Sequence, residues 1–171
     1  LFLESYLTSF PKDTPMRPGI KNIAYGVSDF ERIQSEKYYF VDKTRFIPLL
    51  EESSYIFFIR PRRFGKSLWV SILETYYDIA KKEQFEAFFQ GTWIGEHPTQ
   101  ERNAHMVLVF NFSAVAADVQ KVEQSFEVYG LQVLNVFLRK YAAYFSEIAL
   151  QQIQKETSFS AQIQSLFQEI R

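Results

Sequence analysis

An α/β fold, with a parallel sheet and flanking helices, is what this sequence predicts, and three observations predict it. The first is Tyr55-Ile56-Phe57-Phe58-Ile59, a short run of aromatic and β-branched side chains. Such a run reads as a strand buried on both faces. The second is the segment directly after that run: Arg60-Pro61-Arg62-Arg63-Phe64-Gly65-Lys66-Ser67, then apolar residues at helical spacing at Leu68, Ile72 and Leu73. The third is Met106-Val107-Leu108-Val109-Phe110, a second buried-strand pattern continuing through Asn111 and Phe112. Strand, helical crossover and strand make a right-handed βαβ unit the expected topology.

The other elements are read in chain order. Residues 1–10 carry apolar groups at the spacing of a short helix, and Pro11, Pro15, Pro18 and Gly19 make 11–19 a connector. Residues 1–19 are thus expected as an arm, and 20–171 as one domain. Ser28 with Glu31 three residues on is a capping-box pattern for a helix through Phe30 and Ile33. Tyr38-Tyr39-Phe40-Val41 is strand-like, and Asp42-Lys43-Thr44 opens a helix through Phe46, Ile47, Leu49 and Leu50, with Pro48 in its first turn. Residues 68–80 read as the first core helix, with Lys81 and Lys82 at its end, 84–89 as a second helix and 91–104 as a loop. Helical periodicity runs over 119–146, where Gly130 marks a kink or close packing. Residues 147–156 are polar, and 161–170 give a last amphipathic helix.

Composition narrows the function. The 171 residues are 47% hydrophobic and 18% aromatic, enough to bury a core. A net charge of −1 argues against coating nucleic acid by bulk electrostatics. The positive charge is focused: Arg60, Arg62, Arg63 and Lys66 fall within 55–67, a stretch with no acid. Cysteine is absent, which excludes disulfides and thiol chemistry, and His97 and His105 are the only histidines. No apolar run reaches the length of a membrane span, and the default location is the cytoplasm.

Strand, then Gly65-Lys66-Ser67, then helix is the context of a phosphate-binding P-loop. A helix N-terminus has unpaired N–H groups and partial positive charge, and a preceding glycine lets backbone approach a phosphate. Lys66 would reach the β- and γ-phosphates of ATP, and the Ser67 hydroxyl would ligate Mg²⁺. The expected fold is therefore a P-loop NTPase-like parallel sheet. The expected nucleotide contacts are Arg63, Phe64, Gly65, Lys66, Ser67 and Leu68, with Ser67 on the metal. A full Walker A pattern asks for glycine five residues before Gly65, where this chain has Arg60.

Residues 60–68 resemble the variant P-loop of the AAA-ATPase-like family, in which arginine at the first-glycine position is typical. The resemblance extends through Tyr25-Gly26-Val27-Ser28-Asp29-Phe30, Tyr38-Tyr39-Phe40-Val41-Asp42-Lys43-Thr44, Trp93-Ile94-Gly95-Glu96-His97-Pro98-Thr99 and 107–113. It implies a P-loop ATPase-type domain, often followed by a nuclease-like domain of the PD-(D/E)XK class, which would add nucleic acid to the partners. A homo-oligomer is a further partner state to be expected.

Hydrolysis needs an acid at the end of another strand. Tyr39-Phe40-Val41-Asp42 is the nearest match but precedes the loop, the 106–110 run ends at Asn111, and Asp118 follows two alanines. The resemblance places the Walker B strand just past Ile170. The expectation is an incomplete sheet, with hydrolysis dependent on residues beyond Arg171. In that arrangement 55–59 and 106–112 share a sheet without pairing directly.

Other polar and aromatic residues have plainer readings. His97 and His105 read as loop and strand-edge groups, Trp69 and Trp93 as packing groups, and Asp42 as a helix cap. Tyr25, Gly26 and Val27 could border an adenine site by analogy. Two functions compete with ATP binding: a non-catalytic phosphate- or nucleic-acid-binding module using Arg60, Arg62, Arg63 and Lys66, and an interaction scaffold.

Overall fold

The fold is that of a computed structural model, which describes residues 21–115, 118 and 121–170. The expected N-terminal helix and connector lie outside the described residues. The described chain is built of α-helices and short 3₁₀ turns, with no strand or sheet among them. Two isolated parallel bridges, Ile23 with Tyr39 and Asp78 with His105, are the β-pairing it shows.

This corrects the expected parallel sheet. Residues 55–59 do keep a period of two in exposure: Tyr55, Phe57 and Ile59 are 87%, 91% and 89% exposed, Ile56 and Phe58 48% and 40%. No ladder joins them to another segment, so the apolar pattern alone makes no strand. The 106–110 run is not a strand either. Its backbone is met by tyrosines: the N–H groups of Val107 and Asn111 donate to the hydroxyls of Tyr141 and Tyr129, at 2.9 and 2.6 Å. With neither run a strand, the expected βαβ unit is absent from the described chain.

The chain divides into two compact units. The first holds the described residues up to Ile72, with Glu86–His97. Helix α1 (Phe30–Ser35) starts at Asp29, whose side chain accepts from the Arg32 N–H, one residue after the expected cap Ser28. Phe30 is fully buried, its ring 5.0 Å from Phe89 and 5.5 Å from Phe40, and its N–H donates to Ser71 Oγ. A 3₁₀ turn (Thr44–Phe46) leads into α2 (Ile47–Glu51), with Pro48 in the first turn, where a missing N–H costs little. Helix α3 (Lys66–Tyr77) begins two residues earlier than apolar spacing predicts. Helix α4 spans Phe85–Phe89.

The expected 91–104 loop contains a short helix, α5 (Trp93–Glu96), capped by Thr92. Its start is also tied to residues 42–44. Asp42 accepts from the Thr44 N–H with Oδ1 (2.8 Å) and from the Trp93 N–H with Oδ2 (2.7 Å), and Thr44 Oγ1 accepts from the Ile94 N–H. One carboxylate thus serves two helix starts. Gly95 is required there: a Cβ would sit 2.1 Å from the Phe89 carbonyl oxygen.

The second unit holds residues 73–85 and the described residues from Pro98 onward. Its core is Leu134, Phe137, Leu138 and Tyr141 from the end of α6 (Val122–Lys140), with Ile153 of α7 (Glu147–Lys155) and Leu166 of α8 (Phe159–Glu169). Helix α7 occupies the segment that reads as polar. Ser146 caps it, and Ala149 and Ile153 supply a narrow buried stripe. Helix α8 packs on α6 and α7. Gly130 marks close packing rather than a kink, because a Cβ there would lie 2.7 Å from the Phe159 ring.

Asp78 is the buried polar centre of this unit. It ends α3, and its Oδ1 accepts from the Ala80 N–H (2.9 Å) and the Tyr141 hydroxyl (2.8 Å). Its Oδ2 lies 2.5 Å from Lys140 Nζ, an ion pair without well-directed hydrogen-bond geometry. Asn103, itself at a positive φ, donates to the Asp78 carbonyl. Burial, and then the Asp78 carboxylate, push the Tyr141 hydroxyl well above the ordinary tyrosine range.

Candidate functional site

The candidate site is the 60–67 loop and the start of α3, all in the first unit. Two backbone torsions shape it. Arg63 has φ +67° and Gly65 φ +74°. Residues of left-handed conformation alternating with ordinary ones turn successive N–H groups toward one side, the concave arrangement that favours anions. The Gly65 carbonyl then accepts from the Trp69 N–H at 2.9 Å, so the helix grows directly out of the turn. Its first N–H groups have no helical partner.

Lys66 is the first residue of α3, and its ammonium folds back over the loop. It donates to the carbonyls of Arg60 (2.6 Å) and Pro61 (3.0 Å). The lysine therefore closes the loop on itself. Ser67 is exposed in the first turn of the helix. The Arg60 guanidinium lies 5.0 Å over the Phe58 ring, and Phe58 stacks on Trp69 at 6.3 Å. Arg62 and Arg63 are exposed.

Beside the loop is a cavity of about 590 Å³ whose lining includes Phe58, Arg60, Phe64, Gly65, Leu68 and Trp69. Of the six expected nucleotide contacts, Phe64, Gly65 and Leu68 line it. Arg63, Lys66 and Ser67 belong to the turn and the helix start. The lining also includes Lys43, Phe46, Leu49 and Leu50, which are not among the contacts expected from the sequence. The apolar spacing of the last three was a visible signal, read only as a helix face. Of the lead-in, Ala24 and Val27 line the cavity, whereas Tyr25 is exposed.

The remaining candidates take structural places. Both carboxylate oxygens of Asp42 are engaged by backbone N–H groups. The His97 ring stacks on Trp93 at 4.7 Å, and His105 Nε2 lies 2.6 Å from the Glu101 carboxylate. No cluster of three or more metal-ligating side chains occurs among the described residues. Nor is any helix among them long and apolar enough to cross a membrane.

The loop thus opens a helix on Lys66-Ser67 beside a largely apolar cavity. The family model described as Predicted AAA-ATPase matches residues 24–171, and the chain belongs to the AAA-ATPase-like family. A relative from Azotobacter chroococcum mcd 1, the uncharacterized protein in the vnfD 5' region, is 34% identical over 106 residues. That match covers 60% of this chain and 19% of the relative, so the chain spans a small part of that protein's length. No solved structure matches.

Proposed function

We propose that this chain binds a nucleoside triphosphate, with ATP and Mg²⁺ as the working pair, through residues 63–68. The observation that carries the reading is the loop itself: left-handed torsions at Arg63 and Gly65 leading into a helix whose first residue is a lysine already curled over the turn. Family membership supports it.

The residues fit the group. The N–H groups of 64–67 at the helix start suit phosphate oxygens. Lys66 would exchange its two carbonyl partners for the β- and γ-phosphates, a charge-assisted contact stronger than the neutral one it gives up. The Ser67 hydroxyl is a hard oxygen donor of the kind Mg²⁺ takes. Bound Mg²⁺ would neutralise phosphate charge. The reading is one of binding. An acid to position water for hydrolysis is not among the groups gathered at this loop.

Calorimetric titration with Mg-ATP tests it. Lys66→Ala should weaken binding at least tenfold, and Ser67→Ala should reduce the loss of affinity that EDTA causes in the wild type. Unchanged affinity in Lys66→Ala would sink the proposal. The exposed guanidinium groups of Arg62 and Arg63 favour a second reading, phosphate contacts to nucleic acid. Steeply salt-dependent DNA binding that ignores nucleotide would select it.

A further inference from the structure

We infer that Arg60 is a positioning residue: its side chain steadies the two loop carbonyls that hold the Lys66 ammonium, and so sets how readily that lysine is released to a ligand. This rests on the reading of the loop as a triphosphate site. A full Walker A pattern has glycine at this position, and glycine has no side chain to anchor. The Arg60 guanidinium lies 5.0 Å over the Phe58 ring, and that ring stacks on Trp69 of α3 at 6.3 Å. Among the described residues no carboxylate pairs with the guanidinium, so the ring is its anchor. Lys66, on the same helix as Trp69, donates to the carbonyls of Arg60 and Pro61 at 2.6 and 3.0 Å. The start of the loop is thus tied to α3 twice, once through aromatic rings and once through the lysine.

Local geometry makes the tie stiff. Proline fixes its own φ and keeps the residue before it extended, so the Arg60 and Pro61 carbonyls have little freedom relative to each other. Trp69 is fixed to the turn, because its N–H donates to the Gly65 carbonyl at 2.9 Å. What remains free is a swing of residues 60 and 61 together away from α3, and the Arg60–Phe58–Trp69 stack opposes that swing. An ammonium held on two carbonyls is not available to phosphate. A ligand that needs it binds with an affinity reduced by the fraction of molecules in which it is free. An exposed cation–ring contact is worth about a two- to fivefold change in such an equilibrium. Loss of the Arg60 side chain therefore strengthens ligand binding, the opposite sign to that of an arginine that touches phosphate itself.

Two measurements test it. The first needs no nucleotide: the rate at which acetic anhydride acylates Lys66, read at that site by mass spectrometry. Arg60→Ala should raise the rate about two- to fivefold, and Arg60→Lys, which keeps a cation for the ring, should return it to near the wild-type rate. The second is calorimetric titration with Mg-ATP. Arg60→Ala should tighten binding about two- to fivefold, and the gain should vanish in the Lys66→Ala background, since the two residues act as one unit. An unchanged acylation rate in Arg60→Ala would overturn the inference and leave the loop reading intact. So would weaker Mg-ATP binding in Arg60→Ala, which assigns the guanidinium to phosphate, or a gain that persists without Lys66. Equal affinity of the wild type and Lys66→Ala would remove the loop reading and this inference with it.

Discussion

Gly65 shows how one torsion sets the loop. Its φ of +74° is a conformation that side-chain-bearing residues adopt at a cost, while a Cβ added there would meet nothing within 4 Å. Gly65→Ala is therefore a test of strain without clash. It should cost about 1–2 kcal/mol of stability in a urea titration. Arg63 already bears a strain of that kind at φ +67°, and such strain tends to gather at ligand-binding turns. The glycine and lysine were legible in the sequence. The left-handed arginine was not, because nothing in its neighbours demands it.

At the scale of elements, Gly130 sets two effects against each other. Replacing glycine by alanine inside an exposed helix ordinarily gains about 1 kcal/mol. Here the new methyl would lie 2.7–2.9 Å from three ring atoms of Phe159. That ring is held edge-on by Phe110 and Phe126, so it cannot simply swing away. Overpacking of this kind costs about 1–3 kcal/mol. Gly130→Ala should lower the midpoint of thermal unfolding, with α6 helicity retained in far-UV circular dichroism.

Tyr141, just past the end of α6, gives a pH prediction. Its hydroxyl accepts from Val107 and donates to Asp78, and burial holds its titration above the ordinary value of 10.0. A raised folded-state value means that the neutral form stabilises the fold. That contribution is complete below about pH 10 and is lost as pH rises toward the folded-state value. Stability should fall between about pH 9.5 and 11 by a slope that Tyr141→Phe makes shallower, measured by urea unfolding across that range. The variant should start lower by about 1–2 kcal/mol, because two hydrogen bonds are gone.

On the scale of the whole molecule, residues 55–59 carry a prediction about aggregation. They combine high β-propensity with exposure and no charge, the pattern that pairs with other chains, while Arg60, Arg62 and Arg63 guard one end. Phe57 is 91% exposed. Phe57→Glu should slow aggregation seen by light scattering and shift stability by no more than about 0.5 kcal/mol.

The sequence by itself determined the Gly65-Lys66-Ser67 turn, the helix it opens, the positive charge around it and membership of a family whose motifs run in order along the chain. These are local: torsion, helix propensity and residue identity over a few positions carry them. What the tertiary structure decided is non-local. Residues 55–59 and 106–110 have strand patterns, yet a strand exists only when a second backbone satisfies the first, and tyrosine hydroxyls of the second unit serve Val107 and Asn111 instead. Asp42 became a shared cap because Trp93, 51 residues on, brought its N–H to the free oxygen. The cavity beside the loop likewise draws its walls from four separate stretches of the chain, and no short window of sequence contains it.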